Sequence, residues 1–165
     1  MLTIRPETAA DHGAIADVVD TAFRTAPHSG GNEARIVAAL RAADALTLSL
    51  VAQGEGRILG HVAASSAEVG GEAGWALIGP LAVLPDRQRQ GVGSALMRAA
   101  LGQLRGAFRG VVLVGDPAYY GRFGFRALPG LTLSGVPDEA VQALVFHGRP
   151  PQGEIAHHAA FGIAP

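Results

Sequence analysis

The sequence predicts an α/β domain of the mixed α+β kind, a central sheet flanked by helices. Three observations predict it. The hydrophobic period switches between helical and strand-like along the chain. Three short strand candidates follow one another with only turns between them. A long glycine-headed helix then separates the last of these from a wholly apolar strand. At 165 residues the chain has the length of one domain, taken as residues 1–165.

The elements follow in order. Residues 2–5 read as a short strand closed by Pro6, and Thr8 with Asp11 three residues on is a helix-start signal. Ile15, Val18, Val19 and Phe23 recur at helical spacing until the turn APHSGGN breaks the pattern. Residues 32–43 read as a second helix, with Ile36, Val37 and Leu40 on one side. Residues 46–52, 57–67 and 74–84 are strand candidates separated by GEGR and VGGEAG, an arrangement that predicts an antiparallel meander. The helix GVGSALMRAALGQLRGAF carries Val92, Leu96, Ala99 and Ala100 as an apolar stripe. Residues 111–114, VVLV, read as a buried strand, and a connection of this length predicts a parallel crossover. DPAYYGRFGF has room for one or two helical turns; strands are expected from Phe125 onward, over 141–146 and over 154–158.

Composition narrows the function. Apolar residues make up 48% and charged residues 16%, too apolar for a disordered chain. Thirteen Lys+Arg against fourteen Asp+Glu argue against a broad basic face, so no nucleic-acid partner is expected. The chain has no cysteine, which excludes thiolate metal sites, disulfides and cysteine nucleophiles. No HExxH or carboxylate-rich loop occurs, and no metal is expected. Apolar runs fall short of the roughly 18 residues of a membrane span. The N-terminus lacks the pattern of a signal peptide. A cytoplasmic protein without a membrane partner is the expectation.

The richest local signal is PLAVLPDRQRQGVGS, where a strand ends, a polar turn follows, and two glycines open a helix. Amides of a first helical turn have no internal partner. Glycine lets an anion approach them closely at the positive end of the helix dipole. GxxxxGK is missing, and the third glycine of a dinucleotide fingerprint is replaced by Leu96. A purely structural helix–sheet contact at Gly91 and Gly93 is the competing explanation.

Two motifs together resemble the Gcn5-related N-acetyltransferase (GNAT) superfamily. Gln88-Arg89-Gln90-Gly91-Val92-Gly93 matches its Gln/Arg-x-x-Gly-x-Gly/Ala turn, and Tyr120-Gly121-Arg122-Phe123-Gly124-Phe125 matches its Tyr-x-x-x-Gly-Phe segment. The order of elements matches as well. The resemblance covers about residues 2–127 and, within the superfamily, is to the YhbS-like group. It implies a mostly antiparallel mixed sheet that splays near a cofactor site, with acetyl-CoA as the donor cosubstrate. Its diphosphate would sit on the amides of Gln88, Arg89, Gln90, Gly91, Val92, Gly93 and Ser94. Its arm would pair with the backbone of Leu81 and Val83, with the amide of Leu81 or Ala82 polarising the acyl carbonyl.

The implied reaction is direct transfer of acetyl to a primary amine of a small molecule or peptide, in a ternary complex. Tyr120 keeps the motif spacing and is the candidate acid; Tyr119 is assigned to the cofactor side. The segment before them is shorter than in many members, so which tyrosine faces the sulfur stays open. Glu33, at the start of the second helix, is the first candidate for the general base, with His28 second. His61, His147, His157 and His158 are assigned structural roles, and Trp75 packing or a cleft wall. The alternative function is a non-catalytic acyl-CoA-binding or regulatory module. A homodimer is possible, because the chain beyond residue 127 is apolar enough to meet a partner subunit.

Overall fold

A computed structural model of the chain describes residues 1–27 and 29–163. β1 (Thr3–Pro6) leads into α1 (His12–Phe23) and α2 (Glu33–Ala42). The meander follows as β2 (Leu48–Gly54), β3 (Arg57–Val69) and β4 (Glu72–Val83). Then come α3 (Val92–Leu104), β5 (Gly110–Val114) and the single turn α4 (Pro117–Tyr120). β6 (Leu131–Thr132), β7 (Val141–Val145) and β8 (Gly153–Ala156) complete the chain. The sheet order is β1-β2-β3-β4-β5-β7, with β8 on the far end of β3 and β6 beside β8. Every neighbouring pair in that order is antiparallel except β4–β5, which is the parallel crossover.

Local chemistry explains the helix entries. The Thr8 amide donates to Asp11 Oδ2 at 2.7 Å, and Arg5 donates to both Asp11 oxygens at 2.7 and 3.0 Å. These bonds, Arg5 first, hold the Asp11 carboxyl well below the usual carboxylate range. α1 then buries Ile15, Val18 and Val19, one apolar stripe at helical spacing. α3 buries Val92, Leu96, Met97, Ala100, Leu101 and Leu104 in the same way. β3 is buried on every residue from Ile58 to Ser65, because helices cover both of its faces.

One sheet face carries α3 and α4 over Leu50, Val62, Ile78, Val111 and Leu113. The other carries α1 and α2 over Val51, Ile58 and Ala82. At its far end that second face is closed by Leu131, Val141 and Ile155 around Trp75 and Val112. Leu96, fully buried, illustrates the scale: truncation to Ala would cost about 2–5 kcal/mol.

One expected strand is missing. After Phe125 only Arg126 bridges to Ala143, because Pro129 and Gly130 turn the chain away before a ladder can form. Trp75 is packing: it is 1% exposed and lies under the Arg109 guanidinium.

A break in the sheet positions the site. β4 and β5 pair from Trp75–Gly110 to Leu77–Val112 and then part. At that level β4 carries a bulge. Val62 faces Leu81 and Ala64 faces Ile78, so two steps along β3 oppose three along β4. A bulge bends its strand and increases local twist. The Leu84 amide donates to Leu59 O at 2.9 Å, and Ala82 pairs with His61. By alternation Ala82 bonds into β3, whereas Leu81 and Val83 turn their N–H and C=O groups toward the gap.

Candidate functional site

The glycine turn sits at the head of this gap. Gly91 caps α3 at φ 87°, a left-handed conformation that glycine adopts without strain, and Arg89 before it is at φ 62°. The first helical bond runs from the Ala95 amide to the Gly91 carbonyl at 3.0 Å. The amides of Val92, Gly93 and Ser94 precede it and have no helical partner. The side chains beside them are turned away. Gln88 Nε2 donates to Val83 O at 3.2 Å and Gln90 Nε2 to Asp86 O at 3.1 Å. Arg87 is paired with Glu55, and Arg57 with Asp86 at 3.3 Å, which ties the β2–β3 turn to the turn before α3. The main-chain amides are therefore not taken up by the Gln88, Gln90 or Arg87 side chains, an arrangement suited to an anion.

The two tyrosines take different places. A Cβ built on Gly93 would come 2.5 Å from the Tyr119 hydroxyl, so that hydroxyl lies over the first turn of α3. Tyr120 turns its ring onto Gly115 at the end of β5, where a Cβ would collide with it, and packs edge-on against Phe125 at 6.1 Å. Burial first, then the neighbouring Tyr119 and Asp116, pushes the Tyr120 phenol up to about 12. It stays protonated at neutral pH and is a hydrogen-bond donor.

Glu33 starts α2 on the opposite face of the sheet. Its carboxylate accepts from the Ser29 hydroxyl at 2.8 and 2.9 Å and from the Gly30 amide at 3.2 Å, closing the α1–α2 loop. It shares a cleft of about 460 Å³ with Asp20, Phe23 and Arg24. His28 lies outside the described residues. Thus Val83 and the Tyr119 hydroxyl meet at Gly93 and Tyr120 packs on Tyr119 at 4.9 Å, which brings the turn before α3, the end of β4 and both tyrosines together, whereas Glu33 lies on the opposite face of the sheet in a cleft that none of them lines. The Ala82 side chain sits with α1, apart from that group.

Sequence reasoning missed several polar groups. Gln142 on β7 is fully buried and donates from Nε2 to Gly115 O at 3.1 Å, fixing the turn from which α4 starts. A lone glutamine in the apolar run VQALV was its signal. Glu7, Ser49 and Arg41 form a network at the β1–β2 end with His61, whose expected structural role its burial and Ser49 contact bear out. Arg41 donates from Nε and Nη2 to Glu7 at 2.8 and 2.9 Å, His12 Nε2 lies 3.0 Å from Glu7, and the Ser49 hydroxyl donates to Glu7. His61 Nε2 lies 2.8 Å from Ser49 Oγ; with the serine proton engaged by Glu7, that nitrogen is the donor. Burial alone would raise the Glu7 carboxyl. The Arg41 and Ser49 hydrogen bonds, with the Arg41 and His12 charges, outweigh it and hold the group at about 2. Burial brings His61 down to about 4, with Glu7 opposing and Arg41 assisting. Among the described residues no cluster of His, Asp and Glu fit for a metal occurs. No described helix is long and apolar enough to cross a membrane.

An acetyltransferase (GNAT) domain family matches residues 46–127. A GNAT family acetyltransferase from Brucella melitensis, solved in complex with acetyl-CoA, is 47% identical with a TM-score of 0.87, over 98% of each chain. This chain belongs to the GNAT acetyltransferase family. Another GNAT member, the N-acetyltransferase YhbS of Escherichia coli solved in complex with CoA, is 31% identical with a TM-score of 0.88. That likeness covers 98% of this chain and 92% of the other. The curated YhbS sequence of strain K12, described as an uncharacterized N-acetyltransferase, is 42% identical over 97 residues. The match spans 57% of this chain and 58% of that relative, little more than half its length. The family and the YhbS-like group are those the two motifs indicated.

Proposed function

We propose that this chain is an acetyl-CoA-dependent N-acetyltransferase, acting as one domain, that moves an acetyl group directly to a primary amine of a small molecule or peptide within a ternary complex. The observation that carries this reading is the gap between β4 and β5, edged by main-chain groups of Leu81 and Val83 that no strand pairs and headed by three amides without a helical partner. An elongated ligand with an anionic end and an amide-bearing arm suits it. Its two well-covered relatives were solved with acetyl-CoA and with CoA.

Acetyl-CoA, when bound, supplies the activated acetyl thioester. The amides of residues 92–94 hold the diphosphate, and Gly91 keeps their turn open. Leu81 and Val83 offer N–H and C=O groups that orient the arm as an added strand. The Leu81 amide donates to the acyl oxygen, a role closed to Ala82 by its bonding into β3. Tyr120, protonated at neutral pH, gives a proton to the departing sulfur. Tyr119 borders the diphosphate turn. The acceptor amine enters from the α1–α2 face, where Glu33 takes its proton directly or through water.

The test is a panel of small-molecule and peptide amines scored by CoA thiol release from acetyl-CoA. Amine-dependent release supports the reading. Tight CoA binding without such release across the panel would instead make the chain a non-catalytic acyl-CoA-binding module.

A further inference from the structure

Two arginines stand beside the glycine turn without a carboxylate. Arg98 lies on α3 one helical turn beyond Ser94 and on the same side of the helix. Its guanidinium carbon is 5.5 Å from the centroid of the Phe123 ring. Arg122 reaches the same ring at 5.6 Å and stands 4.4 Å from the centroid of Tyr119, with Nε donating to the Tyr119 carbonyl at 3.2 Å. Arg5, Arg41, Arg57, Arg87 and Arg109 each have a carboxylate partner. Among the described residues Arg98 and Arg122 make no such pair. Both are exposed.

The patch is continuous with the turn. Tyr119 touches Phe123 edge-on, with centroids 5.7 Å apart, and its hydroxyl lies over Gly93. Aromatic faces hold a guanidinium by cation–π attraction and leave its charge uncompensated. Two like charges gathered on one ring are stabilised by an anion placed near both. The turn itself has amides for one diphosphate. Of its two arginines, Arg87 is already engaged by Glu55.

Coenzyme A carries a second anionic group, the 3′-phosphate of its ribose, set off from the diphosphate by the sugar. Arg98 is set off from Ser94 by one turn of α3, a rise of about 5.4 Å. We propose that Arg98 and Arg122 form a second phosphate subsite that receives this 3′-phosphate, so that the protein discriminates CoA from 3′-dephospho-CoA. The proposal rests on the acetyl-CoA reading above and extends it to recognition of the nucleotide end. Guanidiniums suit a phosphate monoester because their paired N–H groups match its oxygens.

Calorimetric titration of the full chain with CoA and with 3′-dephospho-CoA tests it. Wild type is expected to bind CoA about tenfold more tightly, the scale that two exposed charge pairs allow. The preference should shrink as salt rises. In the double variant R98Q/R122Q, CoA affinity falls to that for 3′-dephospho-CoA, which itself changes less than about twofold, and the thermal transition matches wild type. Equal binding of both ligands by wild type would overturn the proposal and leave the acetyl-CoA reading standing. So would a double variant that weakens both ligands in proportion, the behaviour of arginines that only brace the aromatic rings. If wild type binds neither ligand, the acetyl-CoA reading falls and takes the subsite with it.

Discussion

The two faces of the sheet handle polar groups in opposite ways. Around Glu7 nearly every donor meets an acceptor inside the protein: Arg41, Ser49 and His12 converge on one carboxylate, and His61 closes the chain from beneath. Around the start of α3 the amides of residues 92–94 and the gap-side groups of Leu81 are left without such partners, the Val83 carbonyl meets only the exposed Gln88 side chain, and among the described residues the Arg98 and Arg122 guanidiniums have no carboxylate. A closed network holds β1, β2 and α2 in register. An open one is costly in the free protein unless water or a ligand reaches it, and here the surface is exposed enough for both. The difference separates polar residues that build the fold from polar groups that wait for a molecule.

Substitutions on each side should therefore break different things. The largest effects belong to the proposed chemistry. Tyr120→Phe should lower kcat by about 100-fold with KM for acetyl-CoA nearly unchanged; unaltered turnover would remove Tyr120 as the acid. Glu33→Gln should cost a similar factor in kcat/KM and abolish the acidic limb of its pH profile. A limb that persists takes Glu33 out of the base role, leaving it the loop-closing part seen in its Ser29 and Gly30 bonds.

The closed side should show itself in stability. His61 is neutral in the fold down to about pH 4, whereas in the unfolded chain it takes up a proton below about 6.5. The folded state therefore loses stability as pH falls through that window, by about 2 kcal/mol between pH 7.5 and 5. His61→Gln should flatten this part of the urea-unfolding profile. Glu7, with its pKa lowered from 4.5 to about 2, contributes stability that fades only below the upper value, so its acid loss should survive the substitution. Parallel pH profiles for wild type and variant would refute the assignment. The smallest effect returns to the open side. Gly91→Ala forces an L-residue into φ 87°, and CoA affinity measured by calorimetry should fall about tenfold while stability drops by about 1 kcal/mol.

Features that lie within a few consecutive residues are legible in the sequence. Gln88 to Gly93 and Tyr120 to Phe125 each announce themselves in six residues, and the stripe of α3 is a local period. Strand positions are readable and their ends less so: β2 starts at Leu48 and β3 runs on to Val69, because pairing partners rather than composition decide where a ladder stops. The segment after Phe125 has the composition of a strand, yet its neighbour β7 offers it one bridge. Contacts between distant residues leave no local mark. Ser49 finds His61 twelve positions away and Glu7 forty-two, and Gln142 finds Gly115 twenty-seven away. The two arginines on Phe123 are hidden for the same reason, since nothing in a sequence says which ring a guanidinium will share.

The supernumerary residue in β4 has a consequence that reaches past its own position. Side chains and peptide groups alternate sides along a strand, so one residue more or fewer exchanges every later position for its opposite. Were β4 to keep this residue and alternate strictly from Leu77 onward, with no bulge to absorb it, the Leu81 and Val83 peptides would bond into β3 and Ala82 would come round to the crevice, with no change in the identity of any of the three. What opens this protein to a ligand is thus a matter of parity, written in the number of residues between two strand pairings.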